Sequence, residues 1–214
     1  MKIISPLILS ILIVSTFFVI PSIVLDVVTE TVFSEKETEE RIINGYIKLP
    51  KENEVTIKEF NDQSVKIGSS SLYITMPYTL TNSIVDLPLE MKIKLSKSEI
   101  YSFSKDKTFQ GKVSYMVWKP EIDYNLEYGA NGSLDNIKNL PGVEKILEKK
   151  EYFNKDNLEG YFINAEIYRY GKSFRVKSVI IKRGQETWVI IISILNRDDE
   201  QLAEQIIKSI KYLM

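Results

Sequence analysis

Residues 158–195 read LEGYFINAEIYRYGKSFRVKSVIIKRGQETWVIIISIL, and the way this stretch is punctuated decides the fold. Three strand-length runs, 158–170, 173–182 and 186–195, are separated by Gly171-Lys172 and by Arg183-Gly184-Gln185. β-branched and aromatic residues suit a pleated, half-buried surface, and short breaks containing glycine allow the chain to reverse. The runs therefore predict an antiparallel meander. Val189-Ile190-Ile191-Ile192 is apolar at both phases of a two-residue period, which predicts a central strand covered on both sides.

Upstream of the meander the same period recurs. Val65 and Ile67 alternate with polar residues before Gly68, and Val55, Ile57 and Phe60 hint at an earlier strand. Leu72-Tyr73-Ile74-Thr75-Met76 is a strand stopped by Pro77, which has no N–H to give a ladder. The runs 100–103 and 112–118 flank the polar Lys105-Asp106-Lys107 and predict a hairpin that Pro120 closes.

Two stretches have helical spacing. One is predicted over 133–149, with Ser133 as its cap, Leu134, Ile137, Leu140, Ile146 and Leu147 as its apolar positions, and a break at Pro141-Gly142. The other follows Asp198, which forms a capping box with Gln201. Its stripe is Leu202, Ile206, Ile210 and Leu213, and Lys208 and Lys211 suit its negative end. An antiparallel sheet flanked by helices is an α+β fold.

The beginning of the chain has a different character. No charge interrupts the run that begins at Ile3 and ends at Leu25. A bilayer core of about 30 Å needs roughly 20 apolar helical residues, so this run predicts a single transmembrane helix with the lipid bilayer as its partner. Lys2 precedes it and Asp26 and Glu30 follow, which predicts a cytoplasmic N-terminus and an extracytoplasmic remainder. The alternative is a cleaved signal peptide and secretion, with Val32-Phe33-Ser34 as a poor cleavage site. The division that follows is a membrane anchor over 1–33, a polar stalk over 34–45 and a folded domain over 46–214.

Composition narrows the chemistry. The 214 residues include neither Cys nor His, which removes disulfides, thiolate chemistry, cysteine zinc sites and most hydrolase triads. Lys and Arg number 28 against 29 Asp and Glu, a balance that gives no field for nucleic acid. A Ser–Lys dyad needs no His, yet no flanking signature marks one. Asp198-Asp199-Glu200 fits a helix start better than a cation site, and Trp118 and Trp188 read as core. Lys172, Arg175, Lys177, Lys182 and Arg183 read as solvated strand faces. Asn131-Gly132-Ser133 is a glycosylation-type sequon that reads more simply as an Asn-Gly turn. Tyr161, Tyr168 and Tyr170 form the candidate recognition surface, because tyrosine offers large area with a polar tip.

The order of these elements resembles the PsbP/Mog1-like fold. The resemblance runs from about Val65 to Leu213. It rests on the strand ending at Met76-Pro77-Tyr78, the entry Leu158-Glu159-Gly160-Tyr161, the run Thr187-Trp188-Val189-Ile190-Ile191-Ile192-Ser193, and the closing Ile206-Ile207-Lys208-Ser209-Ile210. It implies an antiparallel sheet between helices, and members that act as extrinsic subunits, binding adaptors or surface proteins with no shared catalytic motif. The expected function is therefore a membrane-anchored, non-catalytic protein-binding or assembly module without a cofactor. A carrier or sensor of an apolar small molecule is the alternative, and an enzyme comes third.

Overall fold

The computed structural model describes residues 64–155 and 158–213. The anchor, the stalk and the alternation at Val55, Ile57 and Phe60 lie outside the described residues. Among the described residues no helix is long and apolar enough to cross a membrane.

The chain order is β1 (Ser64–Lys66), β2 (Leu72–Thr75), β3 (Thr81–Asn82), α1 (Leu89–Lys92), β4 (Leu95–Asp106) and β5 (Phe109–Trp118). Then come α2 (Leu126–Lys138), β6 (Val143–Lys155), β7 (Leu158–Arg169), β8 (Lys172–Arg183) and β9 (Glu186–Ile194). A 3-10 turn (Arg197–Asp199), α3 (Glu200–Lys208) and β10 (Lys211–Tyr212) complete it. Seven strands form one antiparallel sheet in the order β3-β4-β5-β9-β8-β7-β6, and β1-β2-β10 form a small second sheet. The fold is α+β.

β9 is the middle strand of the seven, and neither of its faces is wet. Val189 and Ile191 point into a core shared with Leu126, Ala130 and Leu134 of α2. Trp188, Ile190, Ile192 and Ile194 point the other way, into a core closed by Ala203 and Ile206 of α3, by Ile67 just after β1, and by Leu72 and Ile74 of β2. Ser209, which caps α3, ties that cover to the small sheet: its Oγ accepts from Thr75 N at 2.8 Å and donates to Thr75 O at 3.1 Å.

The meander and the β4–β5 hairpin match the expectation, but the breaks expected at Gly171-Lys172 and Arg183-Gly184-Gln185 fall at Tyr170-Gly171 and Gly184-Gln185, with Lys172 and Arg183 in β8. The β7–β8 reversal is Tyr170-Gly171, both at positive φ (48° and 71°), as a two-residue type I′ turn requires. At β4–β5, Asp106 Oδ1 accepts from Thr108 N, Thr108 Oγ1 and Phe109 N, so the aspartate side chain closes the turn. Phe103 and Phe153 lie flat over the cross-strand glycines Gly111 and Gly160, where a Cβ would meet ring carbon at 2.2 and 2.4 Å.

Three expectations are corrected. The helix predicted over 133–149 is really the end of α2 followed by a strand. Asn125 caps α2 by accepting from Tyr128 N, Ser133 is buried in its interior, and Asn131-Gly132 is helix rather than turn. Residues 143–149 have helical spacing, but pairing with β7 along 143–155, as in Ile146 opposite Ile167, prevails over local preference, with a register shift between Val143 and Lys145. The capping box expected at Asp198 does not form: Asn196 caps the 3-10 turn by accepting from Asp198 N, α3 begins at Glu200 without a side-chain cap, and it stops at Lys208. Ile210 is half-buried, Lys211 and Tyr212 pair with β2, and Leu213 is exposed.

Since β9 serves both cores, truncating it should be costly. Ile190→Ala is expected to lose about 2–5 kcal/mol in urea denaturation of the full-length chain. Ile84→Ala, at a side chain 95% exposed, should change stability by no more than about 0.5 kcal/mol.

Candidate recognition surface and ionic cleft

The three tyrosines singled out from the sequence do not share a face. Alternation along β7 sends Tyr161 to the α2 side and Tyr168 to the α3 side, while Tyr170 occupies the turn. Tyr168 pairs with Lys145, whose ammonium lies 5.7 Å from its ring centre. Tyr170 fills a structural place: its ring packs where a Cβ on Gly142 would sit, and the Arg169 guanidinium lies 5.0 Å from its centre. Arg169 is itself buried and donates from Nε to Pro141 O at 2.6 Å, which fixes the α2–β6 connection to this hairpin.

Tyr161 gains partners that the sequence reading missed. Tyr152 of β6 is its cross-strand neighbour, ring centres 5.3 Å apart. Lys150 lies 5.1 Å from the Tyr161 ring centre and donates to Asn131 Oδ1 of α2. Tyr128, three residues before Asn131 and therefore on the same side of α2, is exposed, as is Tyr152. Burial and the neighbouring Glu127 hold the Tyr161 phenol above its ordinary value. Tyr152 was hidden in the sequence because the helix expected over 133–149 takes the first half of its strand.

On the opposite face, β6, β7 and β8 meet the start of α3 in a cleft of about 270 Å³. Leu147, Lys149, Asn164, Glu166, Arg175 and Glu200 line it, with Lys177 at its base. Arg175 and Lys177 are therefore not solvated positions on a strand. Lys177 is buried, donates to Glu204 Oε1 at 3.0 Å and pairs with Glu200 at 3.2 Å. Arg175 bridges Glu200 at 3.0 Å and Glu166 at 3.5 Å, and Arg197 reaches the same Glu166 oxygen at 3.5 Å. Lys208 reaches the other Glu204 oxygen at 3.5 Å, so four cations face three carboxylates. The hydrogen bond from Lys177 holds the Glu204 carboxyl below its ordinary value. This network joins β8 to α3, and its lining gives no support to an apolar ligand at that place. Asp199 plays the same kind of role at the helix start, accepting from Lys105 at 2.8 Å.

The remaining group with chemical potential is Lys112, buried in the middle of β5. The register puts Ser102 opposite it, and Ser114 follows two residues on along the same face. Burial pushes the Lys112 ammonium down to about 8, low enough for a neutral amine at mildly alkaline pH. Ser102 Oγ is already held by Ser83 at 3.0 Å. The signal was present in the run Lys112-Val113-Ser114-Tyr115-Met116, where alternation puts Lys112 on the buried side with Met116. Trp118 and Trp188 are core, as expected. Trp118 stacks on Tyr124 at 4.7 Å and donates to Thr187 Oγ1 at 3.0 Å. Among the described residues no group of three or more acidic side chains could hold a metal ion.

No protein-family model matches the chain, and no curated protein matches it. Among solved structures, a protein of unknown function from Pseudomonas aeruginosa is 15% identical, with a TM-score of 0.36 over 59% of this chain and 94% of the other. A protein from Bacteroides thetaiotaomicron is 10% identical, with a TM-score of 0.35 over 67% of this chain and 46% of its own.

Lys112 generates a pH prediction. The unfolded chain holds a proton on this lysine up to about its ordinary value of 10.5, whereas the folded chain gives it up near 8. Stability should therefore rise from pH 8 towards pH 10, because the unfolded state binds more protons there. Burial holds Tyr124 and Tyr115 far above their ordinary value of 10, so their contribution is full below pH 10 and declines above it. Urea midpoints at pH 7, 8, 9 and 10 are expected to climb for the native chain and to climb less for Lys112→Met, in which Lys94, lowered by burial, and Lys105, raised by its bond to Asp199, still titrate.

Proposed function

We propose that this protein is a non-catalytic binding and assembly module, held at a membrane by the run from Ile3 to Leu25, with its domain on the extracytoplasmic side. The carrying observation is the ring pair of Tyr152 and Tyr161, with an exposed Tyr128 one turn before Asn131, the α2 residue that Lys150 binds. Exposed tyrosines set beside a lysine and an amide have the composition of a protein-contact surface, rich in area and adaptable in hydrogen bonding. On the opposite face Arg175 and Lys177 are engaged in holding α3, which favours the aromatic face as the surface for a partner. The antiparallel sheet lying between α2 and α3 is also in keeping with the PsbP/Mog1-like resemblance, whose members include binding adaptors.

The test uses the tagged full-length protein, cross-linked in cells and analysed by mass spectrometry. A recurrent envelope protein is expected, and Tyr128→Ser, Tyr152→Ser and Tyr161→Ser together should reduce its recovery about tenfold or more, as for loss of a tyrosine hot spot. The protein should stay in the membrane fraction after alkaline carbonate washing. Recovery indifferent to the tyrosines would refute the assignment of the surface, and release by carbonate would refute the anchor.

A further inference from the structure

The segment that leads into β4 is apolar on two sides and covered on one. Val85, Leu87 and Met91 turn inward and pack into the α2-side core. Ile84, Leu89 and Ile93 turn outward, at 95%, 74% and 56% exposure. Among the described residues five Leu and Ile side chains are exposed, and these three lie together in one short segment. Single apolar residues scattered over a surface need no explanation, whereas a cluster marks a contact.

The fold gathers the three at one corner. Ser83 N donates to Ile100 O at 2.8 Å, which sets Ile84 beside the first half of β4. Ile93 N donates to Leu89 O at 3.0 Å, so these two side chains stand one turn apart on the same side of α1. Lys94 N donates to Met91 O and Lys119 N to Lys94 O, which fastens α1 at the Leu95–Trp118 end of the β4–β5 hairpin.

We propose that Ile84, Leu89 and Ile93 dip into the surface of a lipid bilayer, so that the domain lies against the membrane that anchors it. The inference rests on the membrane-anchored reading and adds the orientation of the domain to it. Reach is the first argument for lipid. Residues 26–63 join the anchoring run to β1, and even fully extended they span no more than about 130 Å. A tethered domain meets its own bilayer at high effective concentration, so a contact too weak to hold a free protein suffices. Chemistry is the second. Residues 83–94 contain no aromatic residue and no Arg, the types that mark protein-contact surfaces. The charges around them are paired, Lys92 with Asp86 and Lys97 with Glu99. Insertion therefore comes from the aliphatic groups and not from attraction to acidic headgroups.

The chain has no Cys, so Ile84→Cys, Leu89→Cys and Ile93→Cys can each carry one nitrobenzoxadiazole dye in the full-length protein, reconstituted into phosphatidylcholine vesicles. Asp198→Cys, near the Thr108 end of the hairpin, is the control. Dye at the three positions should shift to the blue. It should be quenched most by lipid bearing a nitroxide high on its acyl chain, since inserted groups reach roughly 5–10 Å into the boundary. Asp198→Cys should show neither effect. Leu89→Asp should lower the lipid partition of dye at Ile93→Cys by about tenfold or more, and added phosphatidylglycerol or salt should leave that partition unchanged. A blue shift without nitroxide quenching would mean that protein covers the patch, whether residues 1–63 or a second copy, and would overturn the proposal. Quenching that requires acidic lipid would overturn it as well. Dye that behaves as at Asp198→Cys, in protein that resists alkaline carbonate, would sink the orientation and leave the anchor standing, whereas release by carbonate would sink both.

Discussion

A strand with no polar side has to be covered twice, and β9 imposes that requirement on the whole molecule. Val189 and Ile191 need α2, while Trp188, Ile190 and Ile192 need α3 and the small sheet. Burying such side chains stabilises by about 1.5–3 kcal/mol each, so neither cover is dispensable in a domain whose net stability is small. β10 follows from the same demand. After α3 the chain returns to β2, and Ser209 fastens the joint with a hydrogen bond given and one accepted.

The polar groups that break the apolar pattern sit where the covers are attached. Lys177 and Arg175 come from the β8 face that would otherwise continue the α3-side core, and Glu200, Glu204 and Glu166 neutralise them. A buried ion pair contributes modestly to stability against a hydrophobic replacement, but removing one partner is expensive. The arrangement therefore fixes where α3 sits more than it strengthens the fold. Arg169 does the same at the far end, holding Pro141 and the ring of Tyr170. Among the described residues β6 pairs only with β7, and aromatic groups face one side of it while an ionic cleft opens on the other.

Alternation carried the reading of the sheet, and its limits explain the errors. The meander was legible because Gly171 and Gly184 punctuate runs of β-branched residues. The strand at 143–155 was not, because Val143, Ile146 and Leu147 fall at helical intervals among Glu and Lys, residues that favour helix. Only the presence of β7 alongside makes those residues a strand. The tyrosine site failed for a related reason: closeness in sequence along a strand means opposite faces for odd spacings, and Tyr161 and Tyr168 are seven apart. Tyr152, the neighbour Tyr161 does have, becomes visible only with the register.

The sequence alone determined the α+β class, the central position of β9, the hairpin reversals and the absence of cysteine and histidine chemistry. These follow from local quantities: period, turn residues and composition. Tertiary structure decided that 143–155 is an edge strand, that Arg175 and Lys177 are bound beneath α3, that Lys112 is buried near Ser102, and which tyrosines meet. Each of these depends on strand order and register, and a register is a relation between distant segments that no single window of sequence contains.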